Sequence, residues 1–354
     1  MTSDGAAVAA ESPPGQAGTR LRMNQAIAAA IADEMRADPS VVCFGEDVAQ
    51  AGGVFKTSTG LLEEFGPLRV RDTPISEMAI VGAAVGAAAT GLRPVVEVMF
   101  AEFYGVAFDP IVTQAAKLHY LSAGQLTVPM VSRGSVGAGR GFGATHSQTC
   151  ETWFLATPGL KVAVASGARS AYGLLRGAIR DEGPVVFLEP KALYGEREHV
   201  ETGDAAITPL GVAATLRRGA DVTLVALGQM VGVALDAAQR LAPAIDAEVI
   251  DLQTLLPWDR DAVLESVART GRLVIVEENP HTGGWGNEVA AHVAATLFGR
   301  LRAPVHRITN PDAPVPFARP LEMRFLPSAE YVAAQVTELL EAGTLPDPWW
   351  KEVA

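Results

Sequence analysis

The sequence has few cysteines and few basic residues for its length. Cys43 and Cys150 are the two cysteines in 354 residues, so we expect neither a disulfide framework nor a cysteine-rich metal site. This usage favours a reducing compartment, and we predict a cytoplasmic location. Lys and Arg number 28 against 40 Asp and Glu, a formal net charge of -12. Because nucleic-acid binding rewards clustered basic side chains, we expect no nucleic-acid partner.

Long apolar segments are also missing. The longest apolar run extends from Met78 to Leu92 and falls short of the roughly 20 residues that a membrane helix needs. We therefore expect no membrane span. The first 19 residues contain two acids and no Lys or Arg, which fits neither a secretion signal nor a basic transit peptide. We interpret residues 1–20 as a disordered tail.

The remaining composition is that of a globular protein with two domains. Apolar residues make up 49% of the sequence, and 354 residues exceed one ordinary domain. Segments with helical spacing, such as Tyr104–Ser122, alternate with short apolar strands such as Val41–Gly45 and Pro94–Val98, and the alternation resumes at Val222–Leu227. This pattern predicts an α/β fold of two parallel-sheet domains. The predicted domains cover residues 21–200 and 221–354, with a linker at residues 201–220.

The segment Gly134–Gly143 contains five glycines and suggests a phosphate-binding loop. A dinucleotide fingerprint opens into a long helix, however, and a P-loop ends in Gly-Lys-Ser/Thr; the segment has neither feature. We interpret it as an active-site loop that delivers His146, Ser147 and Gln148 to the carboxyl edge of the sheet. His146 taken alone is more commonly a surface or structural histidine, although histidine side chains titrate near neutral pH and suit proton transfer.

Glu77 stands where a loop, Asp72-Thr-Pro-Ile-Ser-Glu77, enters the Ala-rich helix Met78–Thr90. A Glu in the first turn commonly does no more than complement the helix dipole. The helix behind Glu77 is almost wholly apolar, so we expect it to be buried or to lie at an interface. A carboxylate at the start of such a helix would be partly desolvated, which suits it to proton transfer.

Phe100 and Phe103 follow the predicted strand Pro94–Val98. Aromatic side chains in that position are commonly part of the core. The alternative is a wall on which a flat heterocycle stacks, and the position at the carboxyl end of a strand favours this second interpretation.

Taken together, these segments resemble the β subunits of the decarboxylating component of 2-oxo acid dehydrogenase complexes, which belong to the transketolase-like thiamine diphosphate enzymes. The resemblance covers residues 21–340 and implies a transketolase-like pyrimidine-binding domain followed by a transketolase C-terminal domain. The motifs that carry it are Gly45-Glu-Asp-Val, Gly52-Gly-Val-Phe, Asp72-Thr-Pro-Ile-Ser-Glu77, Gly91-Leu-Arg-Pro-Val, Gln114-Ala-Ala-Lys, His146-Ser-Gln, Pro158-Gly-Leu-Lys-Val, Ala178-Ile-Arg-Asp and Asp251-Leu-Gln-Thr-Leu-Leu-Pro.

The resemblance implies specific roles for four of these residues. In the family, the Glu of the Pro-Ile-Ser-Glu motif hydrogen-bonds the aminopyrimidine ring of thiamine diphosphate, which makes Glu77 a catalytic and cofactor-binding residue. The resemblance also implies that Glu46 binds the cofactor and that Phe103 stacks on the aminopyrimidine. His146 is implied to be the second catalytic residue, assisting acyl transfer to lipoamide.

A structural potassium ion is also implied. Family members hold it largely through backbone carbonyls, and by resemblance these map to Met130, Ala178, Asp181 and Gly183. Gly183 stands where some relatives carry Asn, so this chain departs from the pattern of those relatives at one of the four positions.

The motif that binds the diphosphate is missing. Thiamine enzymes hold the diphosphate through Mg²⁺ and a Gly-Asp-Gly motif, which this sequence lacks. The resemblance implies that a separate α subunit supplies it in an α2β2 heterotetramer that works with a dihydrolipoyl acyltransferase core. The implied reaction is oxidative decarboxylation of a small 2-oxo acid such as pyruvate. The alternatives are an acetoin or branched-chain 2-oxo acid dehydrogenase subunit, a non-catalytic assembly module, or a stand-alone transketolase-like enzyme.

Overall fold

A computed structural model describes residues 18–353, with side chains through Lys351. The strands are, in chain order, β1 (Thr19–Arg22), β2 (Val41–Gly45), β3 (Val70–Asp72), β4 (Arg93–Phe100), β5 (Val131–Val136), β6 (Lys161–Val164), β7 (Val185–Pro190), β8 (Arg197–Val200), β9 (Ala214–Arg217), β10 (Val222–Ala226), β11 (Ala247–Asp251), β12 (Thr254–Leu256), β13 (Leu273–Pro280) and β14 (His306–Asn310). The α-helices are α1 (Met23–Ala37), α2 (Leu61–Phe65), α3 (Glu77–Ala89), α4 (Ala116–Leu121), α5 (Thr152–Leu155), α6 (Ala168–Arg180), α7 (Met230–Leu241), α8 (Arg260–Thr270), α9 (Gly286–Thr296), α10 (Arg319–Phe325) and α11 (Ala329–Ala342).

The first domain is built on a seven-stranded sheet in the order β12-β6-β7-β5-β4-β2-β3. All pairs are parallel except β12 with β6. The central strands β5 and β7 are buried along their whole length, as expected for a parallel sheet covered on both faces. Helices α1 and α6 pack together on one face through residues such as Ile27, Ile31 and Leu175, and α3 covers the other face.

The second domain has a five-stranded sheet in the order β14-β13-β10-β11-β9, parallel except for β9. Helices α7 and α11 cover one face, and α8 and α9 cover the other. The buried side chains on this second face continue into the core of the first domain, where Val96 and Ile250 belong to one apolar cluster. The α/β prediction with two parallel-sheet units is confirmed, although the two units share part of their core.

The structure differs from the sequence prediction at a separate two-stranded sheet, formed by β1 and β8, and at the edges of the two larger sheets. Thr19 and Arg20, assigned to the tail, belong to β1, which pairs with β8; residues 1–17 lie outside the described part of the chain. Strand β9 lies in the predicted linker, and β12 crosses from the second domain to the first sheet. These strands are stabilised by partners distant in the chain, such as Thr19 opposite Val200, which local patterns do not reveal.

The predicted helix Tyr104–Ser122 is wrong as a continuous element. The chain forms a 3-10 turn at Ala101–Gly105, a π-helical turn at Pro110–Ala115 and then α4. Pro110 explains the interruption, because proline has no N–H to donate and its ring clashes with the preceding helical turn.

None of the helices in residues 18–353 combines the length and the apolar character that crossing a bilayer requires. Helix α3, predicted to be buried or interfacial, buries Ile80, Val81 and Ala84. Its other face leaves Met78 56% exposed and Gly82 exposed as well. An exposed apolar helix face of this kind is typical of a surface that meets another protein.

A histidine in the second domain makes folding sensitive to pH. His306 is buried in β14, where its Nε2 lies 3.0 Å from Oε1 of Gln335, and burial lowers its pKa to about 4. The unfolded chain takes up this proton near pH 6.5, so the stability due to neutral His306 is lost as the pH falls from 6.5 towards 4. Between pH 7 and pH 4.5 we expect the free energy of unfolding to fall by about 2–3 kcal/mol more in the unsubstituted chain than in His306→Gln. Urea unfolding at the two pH values measures this difference. The exposed His119 is the control; equal pH dependence in the His306 and His119 variants would contradict the prediction.

Candidate active site at the carboxyl edge of the first sheet

Four neighbouring strands end at the same edge of the first sheet, in the order β5-β4-β2-β3. Each strand is followed by a segment that carries one of the residues singled out in the sequence. These residues are Glu46 after β2, Glu77 after β3, Phe103 after β4 and His146 after β5. Ligands of open α/β folds bind at this edge, because loops from adjacent parallel strands meet there.

Two carboxylates, those of Glu46 and Glu77, lie at this edge. Glu77 is the first residue of α3 and is half-buried, and Glu46 is only 8% exposed. Burial, followed by the nearby negative charge of Glu77, raises the pKa of the Glu46 carboxyl above its usual range. Asp72 accepts the backbone N–H groups of Ala49 (2.7 Å) and Gln50 (3.1 Å), whereas Glu77 accepts no hydrogen bond from any residue within 18–353. The Glu77 carboxylate is therefore free to bind a ligand.

The aromatic residues form a wall beside the carboxylates. The His146 ring packs edge-on against Phe100 and Phe103, with ring centroids 4.7 and 5.4 Å apart. Its Nδ1 lies 2.9 Å from Oγ1 of Thr145. Phe103 is partly exposed, while Phe100 is buried beneath it. The structure thus brings the predicted stacking residue and the predicted loop histidine into contact, with Phe103 free to meet a flat ring.

A buried ion network supports the site from below. Arg133 is 1% exposed, pairs with Glu97, and donates Nε to Oε1 of Glu189 at 2.7 Å. Thr57 donates to Glu97 and Tyr194 donates to Glu189. Although burial lowers it, the pKa of the Arg133 guanidinium is held well above its ordinary value by Glu189 and Glu97. The sequence analysis missed this network, and the signal for it was an Arg within the segment that forms the buried strand β5.

A second group of buried polar residues lies where the two domains meet. Burial raises the pKa of Glu151 and of Glu278 to about 7 and lowers the pKa of Lys191. Asn279 donates to Glu151, and Lys191 Nζ has no hydrogen-bond partner among the described residues. This Nζ lies 5.7 Å from the ring centroid of Phe100, so its charge reaches the aromatic wall. Sequence reasoning also missed these groups, because they come from both domains.

The residues predicted to hold a potassium ion lie on the opposite side of the first domain, around the end of α6. The Met130 and Ala178 carbonyls accept the N–H groups of Val185 and Asp181. The Asp181 carboxylate accepts the Lys161 ammonium at 2.6 Å and the Gly183 N–H at 2.8 Å. Each of these carbonyl oxygens keeps a second lone pair, which a cation could use. Groups of His, Cys, Asp and Glu suited to a metal ion are not found within residues 18–353.

Comparison with known proteins identifies the fold family. The transketolase pyrimidine-binding domain family matches residues 19–197, and the transketolase C-terminal domain family matches residues 211–332. A solved structure described as "Split gene transketolase, inactive beta4 tetramer" superposes with a TM-score of 0.73 at 26% identity, covering 91% of this chain and 98% of that chain. The predicted order of a pyrimidine-binding domain and a transketolase C-terminal domain is confirmed.

Curated relatives narrow the family further. The chain is 47% identical over 314 residues to the pyruvate dehydrogenase E1 component subunit beta-1, mitochondrial, of Arabidopsis thaliana, with 88% of this chain and 86% of the relative covered. It is 44% identical over 335 residues to the acetoin:2,6-dichlorophenolindophenol oxidoreductase subunit beta of Cupriavidus necator, with 92% and 98% covered. The chain therefore belongs to the family of E1 β subunits of 2-oxo acid dehydrogenases, built from the transketolase pyrimidine-binding and C-terminal domains.

Proposed function

We propose that this chain is the β subunit of a thiamine diphosphate-dependent enzyme that oxidatively decarboxylates pyruvate and transfers the acyl group to lipoamide. The observation that carries the proposal is the meeting of Glu77, Glu46, Phe103 and His146 at one edge of the first sheet. A stand-alone transketolase-like enzyme is disfavoured because the chain lacks Gly-Asp-Gly.

The residues at the sheet edge fit the aminopyrimidine half of thiamine diphosphate. Glu77 offers a carboxylate without a protein partner, which would hold a ring nitrogen through a shared proton. Phe103 offers a partly exposed aromatic side chain at the same sheet edge for stacking. Burial, followed by the nearby charge of Glu77, raises the pKa of Glu46, so this carboxyl would hold a proton more readily than an exposed glutamate does. When bound, the cofactor supplies the electron sink that decarboxylation needs.

The diphosphate and its Mg²⁺ would be bound mainly by an α subunit. The chain has no Gly-Asp-Gly motif, and the exposed apolar face of α3 directly follows Glu77. A partner that packs against α3 would therefore close the site next to Glu77. By family resemblance we propose an α2β2 heterotetramer that works with a dihydrolipoyl acyltransferase core.

Two further parts of the proposal concern the ion and the compartment. A structural K⁺ would be held by carbonyl oxygens of Met130, Ala178, Asp181 and Gly183. Those of Met130 and Ala178 each accept one N–H and keep a second lone pair, whereas that of Asp181 also accepts the Arg93 guanidinium at 3.0 Å. A cytoplasmic location fits the two free, buried cysteines, whereas the Arabidopsis relative is named as mitochondrial.

Reconstitution tests the proposed function. The chain, a candidate α subunit, thiamine diphosphate and Mg²⁺ would be assayed with pyruvate, acetoin and branched-chain 2-oxo acids, using 2,6-dichlorophenolindophenol as the electron acceptor. We expect activity only when both subunits are present, with pyruvate as the best substrate. A preference for acetoin would reassign the substrate, and an assembled but inactive complex would favour the non-catalytic assembly module.

His146 is expected to serve acyl transfer rather than decarboxylation. We expect His146→Ala in the reconstituted complex to slow acyl transfer to lipoamide about 100-fold, as loss of a general acid or base does. Dye-linked decarboxylation should change less than about threefold in the same variant, because the loop histidine is not needed to release carbon dioxide. The exposed His119 provides the control variant His119→Ala. Equal losses in the two assays would contradict this division of roles.

A further inference from the structure

The glycine-rich segment after β5 has the backbone of an anion-binding loop. Gly137, Gly139, Gly141 and Gly143 all have positive φ, at 85°, 100°, 73° and 72°. Alternating residues of this conformation turn successive N–H groups towards a common centre and form a concave site for negative charge. The segment lacks the motifs of nucleotide-binding loops, so these amides bind an acceptor other than a nucleotide phosphate.

The anions are two carboxylates of the second domain. Glu322 of α10 accepts the N–H of Gly139 at 2.9 Å and the N–H of Gly141 at 3.1 and 3.0 Å. Glu278 of β13 accepts the N–H of Ala138 at 2.5 Å. Glu322 is 2% exposed, and Glu278 is partly buried between this loop and Gln229, which donates to it. Hydrogen bonds from amides to buried carboxylates are among the stronger ones in proteins.

Close packing joins the same loop to the second domain. Ala138 lies in a small apolar cluster with Val315 and Phe325. A Cβ atom on Gly137 would lie 2.9 Å from both carboxylate oxygens of Glu278, and a Cβ atom on Gly143 would lie 3.1 Å from the Phe317 ring. Positive φ favours glycine at all four positions, and at Gly137 and Gly143 the space that the second domain occupies favours it as well.

The far end of the loop returns to the first domain and carries His146. The His146 N–H donates to the Gly143 carbonyl at 3.3 Å, and the Gln148 N–H donates to Glu102 at 2.6 Å. Between these bonds the imidazole lies against Phe100 and Phe103. The position of His146 is thus set by an arm that both domains hold. The amides of residues 138–141 are bound by Glu278 and Glu322 of the second domain. Arg140 donates to the Lys191 carbonyl of the first domain at 3.2 Å, and the end near His146 is also bound to the first domain.

We propose that Glu322 and Glu278 are positioning residues for His146: they bind the amides of residues 138–141 and thereby hold the His146 imidazole at the aromatic wall. This inference rests on the proposed function. The second domain would then affect acyl transfer indirectly: its side chains hold the loop that carries His146 and need not touch the substrate. The amides of this loop thus bind carboxylates of the same chain, whereas the amides of a phosphate-binding loop bind a ligand.

A double-substitution experiment tests this positioning role in the reconstituted complex. Glu322→Gln puts an NH₂ group where an oxygen accepts the Gly141 N–H, and we expect acyl transfer to lipoamide to slow about tenfold. In the His146→Ala background we expect the same substitution to change acyl transfer less than about twofold, because the loop position matters only when the imidazole is present. Dye-linked decarboxylation should stay within about twofold of the unsubstituted complex.

Glu278→Gln is the second variant and should show the same dependence on His146; it decides the question if Glu322→Gln fails to assemble. Glu330→Gln is the matched control, since Glu330 is exposed near α10 in the same domain. Equal fold-losses in both His146 backgrounds, or no loss from either variant, would overturn the inference. An inactive unsubstituted complex would instead count against the proposed function, so the two failures are distinguishable.

Discussion

Replacing Glu77 with Gln is expected to lower the decarboxylation rate of the reconstituted complex at least about 100-fold, the usual cost of losing a positioned proton-transfer group. The substitution keeps the size of the side chain, so packing at the start of α3 is preserved. It removes the carboxylate that is free to share a proton with a bound heterocycle. Dye-linked turnover of pyruvate at saturating thiamine diphosphate measures the loss, and size-exclusion chromatography shows whether the subunits still assemble.

The control for Glu77 is a first-turn glutamate that is not in the site. Glu63 occupies the first turn of α2 and is exposed, so Glu63→Gln removes a similar helix-end charge without touching the sheet edge. We expect this variant to keep its activity within about twofold, since exposed helix-end charges contribute only a few tenths of a kcal/mol to stability. Full activity of an assembled Glu77→Gln complex would remove Glu77 from the proposed mechanism.

Replacing Arg133 with Met is expected to cost about 3–5 kcal/mol of stability, the penalty for removing one partner of a buried ion pair. Glu97 and Glu189 would be left with uncompensated charge in the core, with only Thr57 and Tyr194 still donating to them. Urea unfolding followed by circular dichroism measures the loss of stability. Strands β4, β5 and β7 all carry members of this network. Because the candidate site lies at their carboxyl ends, we expect its residues to be less firmly positioned in this variant.

Arg36→Met is the matched control for Arg133. Arg36 also pairs with two acids, Asp33 and Glu64, but its side chain is 52% exposed. Solvent screens such pairs, so we expect a change below about 1 kcal/mol. Equal losses of unfolding free energy in Arg133→Met and Arg36→Met would contradict the prediction that burial makes the Arg133 network important for stability.

Much of the fold could be predicted from the sequence because its signals are local. The apolar runs that became β2, β4 and β10 are short and bounded by breakers, as strands of a parallel sheet are. The break in the predicted helix after Tyr104 could also have been foreseen from Pro110. The short strands β1, β8, β9 and β12 could not, because each is stabilised by a partner far away in the chain.

The candidate site also contains residues that the sequence predicts and supporting residues that only the structure shows. The residues at the sheet edge were predicted from motifs, since Phe103 and His146 follow predicted strands and Glu77 stands at the start of a predicted helix. Their supports were not found, because Arg133, Glu278 and Glu322 have no local signature of their roles. A lone charged residue in a sequence does not show whether it will be paired in the core or exposed to water.

The sequence by itself determined the family, the α/β class and the residues at the sheet edge, because motifs and apolar periodicity are properties of short segments. Only the tertiary structure decided what the glycine-rich loop binds and how the two domains share a core. The physical reason is that amides with positive φ attract any nearby anion. The anions that satisfy them, Glu278 and Glu322, come from the second domain, and only folding brings them to the loop.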